Sequence, residues 1–123
     1  MSERPCKVLV VDTDPDALIL LQRVLEDARI DTTVTWDYAE ARTLVENHPF
    51  DVILVGDHPV EATKKFLTDA CAESSRPCLI LRTTPSERDA EYFFRFGVTG
   101  VVPKREPVRV LEQVQRYWHA KAA

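Results

Sequence analysis

Five short apolar runs punctuate the chain at nearly even intervals. Each is followed by a stretch whose apolar residues recur every three or four positions. The central run, Val52-Ile53-Leu54-Val55-Gly56, has no polar side chain, and Asp57-His58-Pro59 follows it at once. A run of that kind suits a strand buried on both faces. Lys7-Val8-Leu9-Val10-Val11 predicts a first strand from about Cys6 to Asp12. Similar runs predict strands near Thr32–Trp36, Cys78–Arg82 and Thr99–Pro103.

The intervening stretches read as helices. Asp14 is placed to cap the first, with Pro15 at its opening position and Asp16 in its first turn. Leu18, Leu21, Val24, Leu25 and Ala28 then fall on one face. A second helix spans about Tyr38–Asn47, with Ala41, Leu44 and Val45 inward, and His48-Pro49 ends it. A third runs from about Val60 to Glu73, before a Ser74-Ser75-Arg76-Pro77 turn. Ser86 caps a fourth over about Glu87–Phe96, and Gly97 stands where a helix-ending left-handed residue is expected. Pro107 opens a fifth, to about His119. Strands alternating with helices predict an α/β fold, a flavodoxin-like doubly wound (βα)5 sandwich. Its parallel five-stranded sheet has the order 2-1-3-4-5. Residues 1–123 form a single domain with its core at about 6–118.

Composition narrows the function classes. Hydrophobic residues make up 45% of the 123 residues and charged residues 29%, ordinary values for a globular domain. The formal net charge is −4, and no basic run long enough to track phosphates appears, so no nucleic-acid partner is expected. Cys6, Cys71 and Cys78 show neither C-x-x-C nor metal-finger spacing, which predicts reduced thiols and a cytoplasmic location. The apolar runs fall far short of a membrane span, and no membrane partner is expected.

In the predicted strand order the loops Asp12–Asp16, Gly56–Pro59, Arg82–Thr84 and Pro103–Arg105 meet at one edge of the sheet. The first two are acidic and lack a glycine-rich phosphate cradle, which argues against a flavin or nucleotide cofactor and against an enzyme built on one. Carboxylates there suit a hard cation such as Mg2+. The candidate metal ligands are Asp12, Asp14 and Asp57, and Lys104 is a candidate neutralising cation. Asp14 also reads as a plain helix cap, and His58 as a plain loop histidine.

Lys7-Val-Leu-Val-Val-Asp12, Asp51-Val-Ile-Leu-Val with the acid that follows, and Gly97-Val-Thr-Gly-Val-Val-Pro-Lys104 resemble the receiver domains of two-component response regulators. The resemblance runs from about Cys6 to Tyr117. It implies a phosphorelay role, in which an aspartate at the end of the third strand accepts a phosphoryl group from a histidine kinase or phosphotransfer protein. It also implies Mg2+ held by acids after the first strand. A lysine after the fifth strand and a Ser/Thr after the fourth would contact the phosphoryl group. On this resemblance Asp57 is the candidate phosphoacceptor, with Lys104 and Thr83 as its companions.

The chain also departs from the receiver pattern. Thr13 stands where the second acid is usual, and Val101 where the switch aromatic is. Arg105 follows the lysine where proline is frequent. Pairing the apolar positions of the central strand puts Gly56, not Asp57, at the acceptor place. Counting from Pro77 puts Arg82 at the Ser/Thr place, with Thr83 one residue late. Side chains alternate faces along a strand, so a one-residue offset aims Asp57 away from Asp12 and Lys104 unless a bulge turns it back. Arg82 is positioned to pair with Asp57 or Asp12, its fixed charge standing where Mg2+ or phosphate sits. Two readings remain at this point: a phosphoaccepting receiver, or a phosphorylation-independent pseudo-receiver acting by protein contact. In Tyr92-Phe93-Phe94-Arg95-Phe96, the residues Ala90, Phe93, Phe94 and Gly97 share the face expected to pack on the sheet. Tyr92 and Phe96 fall off it and are candidates for a partner or homodimer contact through the fourth helix–fifth strand–fifth helix face.

Overall fold

The computed structural model describes residues 4–72 and 76–122. Ten elements alternate along the chain: β1 (Lys7–Val11), α1 (Pro15–Asp27), β2 (Asp31–Thr35), α2 (Tyr38–Asn47), β3 (Val52–Gly56), α3 (Val60–Ala70), β4 (Cys78–Arg82), α4 (Glu87–Phe94), β5 (Gly100–Pro103) and α5 (Pro107–Ala122). The strands form one parallel sheet in the order β2-β1-β3-β4-β5. This is the doubly wound arrangement the sequence predicts.

The period of two along each strand sorts side chains into two cores. Val8, Val10, Leu54, Leu79 and Leu81 point to one face, where Leu18, Leu21 and Leu25 of α1 and Val110 and Val114 of α5 cover them. Leu9, Val11, Ile53, Val55 and Ile80 point to the other, under Ala41 of α2, Phe66 and Leu67 of α3, and Phe93 of α4. All five residues of β3 are buried, so β3 is the central strand its composition implies.

The helix ends follow local chemistry. Asp14 accepts from the backbone N–H groups of Asp16 and Ala17, and Pro15 opens α1. Asp37 caps α2 in the same way. Gly97 takes φ +89°, the left-handed value that favours glycine. A Cβ there would also lie 2.6 Å from Ala72 Cα, so the close approach of backbone to backbone makes a second demand for glycine.

Boundaries move by small amounts. β2 begins at Asp31 and ends at Thr35, leaving Trp36 outside the strand and 73% exposed. α4 stops at Phe94 rather than Phe96, β5 begins at Gly100 rather than Thr99, and α5 continues past His119 to Ala122. α3 stops at Ala70, and the expected end at Glu73 and the Ser74–Ser75 part of the turn lie outside the described residues. The inward face predicted for α4 needs correcting. Phe93 is buried, but Phe94 is 71% exposed. The side chain of Ala90 lies outside the described ones. α4 has only two turns, and of its two phenylalanines Phe93 alone reaches the sheet. The three cysteines are buried and form no disulfide among the described residues.

Candidate functional site at the carboxyl edge of the sheet

Parallel strands end together, so the residues following β1, β3, β4 and β5 gather at one edge. β1 and β5 deliver one pair of charges there. Asp12 is 1% exposed and Lys104 9% exposed. Lys104 Nζ donates to Asp12 Oδ1 at 3.1 Å and lies 3.0 Å from Oδ2. Asp12 Oδ1 also accepts from the Asp14 backbone N–H at 2.9 Å. Oδ2 receives no directed hydrogen bond among the described residues and is compensated by the ammonium charge alone. Asp14 Oδ2 lies 3.7 Å from the same ammonium, while its Oδ1 caps α1. Helix cap and pocket acid are thus one side chain, each role taking one carboxylate oxygen.

β3 ends in Gly56, directly against this pair. A Cβ built on Gly56 would lie 2.7 Å from Asp12 Cγ and Oδ2, well inside contact distance. The space that a side chain at the end of β3 would need therefore holds the Asp12 carboxylate.

Asp57, one residue on, belongs to a different cluster. Arg82 Nη1, at the end of β4, donates to Asp57 Oδ2 at 2.6 Å. Arg82 Nε lies 3.2 Å from Oδ2 of Asp89 in the first turn of α4, an ion-pair contact without a directed hydrogen bond. The same Asp89 oxygen accepts from the Ser86 N–H at 2.7 Å. Asp89 is absent from the sequence-based candidates. Its signal is the Ser86-x-x-Asp89 spacing, a capping-box pattern. Thr83 follows Arg82 and is exposed.

The loop between β3 and α3 is tied down from beneath. The Tyr38 hydroxyl is 3.0 Å from the Gly56 carbonyl and 2.9 Å from Thr63 Oγ1, and Thr63 Oγ1 donates to the same carbonyl at 2.9 Å. Thr13 Oγ1 donates to the His58 carbonyl at 3.1 Å, so Thr13 faces the loop. Burial pushes the Tyr38 hydroxyl up to about 12, which keeps it a neutral hydrogen-bonding group throughout the physiological range. The His58 side chain is exposed, as expected of a loop histidine.

The carboxylates grouped in the sequence as one cation site thus divide between two basic side chains. Asp12 and Asp14 meet at Lys104, and Asp57 and Asp89 meet at Arg82. Among the described residues no group of three His, Cys, Asp or Glu could hold a metal ion. As arranged, the residues do not fit a divalent cation. Such an ion needs several oxygens converging on one point at about 2.0–2.1 Å for Mg2+, and here an ammonium occupies the point of convergence.

The sequence matches no protein-family model and no curated protein. Solved structures do match. The chemotaxis response regulator CheY4 of Vibrio cholerae superposes with a TM-score of 0.82 at 28% identity, over 93% of this chain and 99% of that one. A two-component response regulator from Clostridium difficile superposes at 0.85 with 15% identity, over 96% and 99%. The chain has the receiver-domain fold. The Francisella response regulator 1452 receiver domain agrees at 0.81 and 23% identity, over 96% and 99%. Against the receiver pattern the edge of this chain is unusual in its details, with Gly56 at the last position of β3 and each acid pair already sharing one basic side chain.

The aromatic stretch of α4 meets this edge at Phe93, whose ring centroid lies 6.0 Å from the Arg82 guanidinium carbon. The rings of Tyr92 and Phe96 meet edge to face with centroids 5.9 Å apart. The Tyr92 ring also lies near Lys64 Nζ of α3, 5.6 Å from the centroid, so Tyr92 faces α3 and is only 38% exposed. Phe94 is the more exposed aromatic. Among the described residues no helix is long and apolar enough to cross a membrane.

Proposed function

We propose that this receiver-fold domain takes part in two-component-type signalling as a protein-contact module that accepts no phosphoryl group. The observation that carries the reading is the contact between Gly56 and Asp12: the end of β3 has no acid, and no room for one while Asp12 stays paired with Lys104. The domain then works without turnover of a substrate and without resident Mg2+. Its partners are cytoplasmic proteins that bind the surface around α4, where Phe94 is 71% exposed and Tyr92 and Phe96 lie alongside. A second copy of the chain at that surface is the homodimer form of the same idea.

The competing reading makes Asp57 the nucleophile toward a phosphorylated histidine kinase or phosphotransfer protein. One observation favours it: a cation, Arg82, already lies beside the carboxylate and can offset incoming charge. The same 2.6 Å bond weighs against it, because it engages a carboxylate oxygen that would otherwise be free to attack.

The cation half of the proposal is tested by titrating Mg2+ into the protein and following backbone amides by NMR. Amides of Asp12, Thr13, Asp14 and Lys104 should show no saturable shift at millimolar Mg2+. Saturable shifts confined to those residues would show that Lys104 yields its place to a metal, and the proposal would fail.

A further inference from the structure

Arg82 makes a connection that the proposed function leaves unused. Its guanidinium touches two segments that the chain keeps apart: Asp57 in the loop after β3 at 2.6 Å and Asp89 in the first turn of α4 at 3.2 Å. Asp89 is 7% exposed and holds the Ser86 N–H at the start of α4. The Arg82 guanidinium carbon also lies 6.0 Å from the centroid of the Phe93 ring, and Phe93 packs α4 into the core. One side chain at the end of β4 thus spans from the β3–α3 loop to both the cap and the anchor of α4. The bond to Asp57 is directed and the contact with Asp89 is an ion pair without a directed hydrogen bond, so one always-charged guanidinium links the two carboxylates.

We propose that Arg82 is the positioning residue of α4. It latches the helix to the Asp57 loop in the resting protein, so the exposed face carrying Phe94 is held in one arrangement without any ligand. The latch rests on the proposed function only in one respect: no phosphoryl group competes with Asp57 for the guanidinium. It also implies that Asp57, which reaches α4 in this network only by way of the guanidinium, controls the helix through Arg82.

The test is amide hydrogen exchange on the full chain, without phosphodonor. Arg82→Met should speed exchange of the α4 amides about fivefold, the size expected for a partly exposed ion-pair network, and leave α1 and β1 protected. Asp57→Asn, 25 residues from Arg82 in the chain, should loosen the same α4 amides. In the Arg82→Met background, Asp57→Asn should add nothing further, because the link is already cut. Wild-type exchange of α4 in Arg82→Met would overturn the latch. So would an Asp57→Asn variant whose α4 amides exchange at the wild-type rate. If the wild-type protein instead took up a phosphoryl group from a donor, the proposed function would fail, while these donor-free rates would still decide the latch.

Discussion

Replacing Lys104 with methionine is expected to lower the stability of the domain by about 3 kcal/mol, because removing one partner of a buried ion pair strands the other charge. Asp12 is 1% exposed and Lys104 9% exposed, so water screens the pair little. Without the ammonium, Asp12 keeps the Asp14 N–H on Oδ1, while Oδ2 loses the one charge that compensates it among the described residues. The methionine stem fills much of the lysine's volume, which confines the loss mainly to charge. A double variant, Asp12→Asn with Lys104→Met, should recover most of it, since asparagine can still accept from Asp14 and brings no charge. Urea denaturation of the two single variants and the double variant measures the coupling directly. A Lys104→Met protein as stable as the wild type would mean that the pair does not hold the edge together.

Restoring an acid at the end of β3 should be costly in a different way. Gly56→Asp is expected to destabilise by about 2–3 kcal/mol, combining overpacking of a filled space with a second buried carboxylate. The nearest atoms in the way belong to the Asp12 carboxylate, 2.7 Å from the added Cβ, and not to main chain. The Asp12 side chain must leave Lys104 and the Asp14 N–H, while the backbone of β1 and β3 can stay. The displaced Asp12, the carboxylate introduced at position 56 and Asp14 then crowd three negative charges around one ammonium. Such a cluster has a use for a divalent cation, so millimolar Mg2+ should raise the melting temperature of Gly56→Asp and leave that of the wild type unchanged. Equal stability of Gly56→Asp and wild type would show that the Gly56–Asp12 contact is not a constraint. A Mg2+ effect on the wild type would show that the native edge already takes the ion.

The alternation of elements was legible because strand burial writes itself as apolar runs and helix burial as period-three-to-four spacing, and the sheet order followed from the doubly wound topology that such alternation suggests. Local chemistry was legible too: Asp14 and Pro15 at the start of α1 and Gly97 after α4 act as read. Amphipathic judgement failed where an aromatic residue was assigned by its polarity alone. Trp36 reads as strand and lies outside it, and Phe94 reads as core and is exposed. The site was half legible. Gly56 at the end of β3 followed from strand register, and Arg82 was placed as a partner for Asp57 or Asp12. What decides between them is long-range: Lys104, 92 residues from Asp12, takes that acid, so Arg82 turns to Asp57 and Asp89. No local pattern encodes the choice. It depends on where the strand ends sit in space relative to one another.

The proposed function requires that this edge, its acids already engaged by Lys104 and Arg82, accept no phosphoryl group. The most direct measurement is intact mass spectrometry after incubation with acetyl phosphate and Mg2+, followed by peptide mapping of Asp12, Asp14 and Asp57. An unchanged mass is expected. A stable gain of one phosphoryl group on Asp57 would contradict the proposed function.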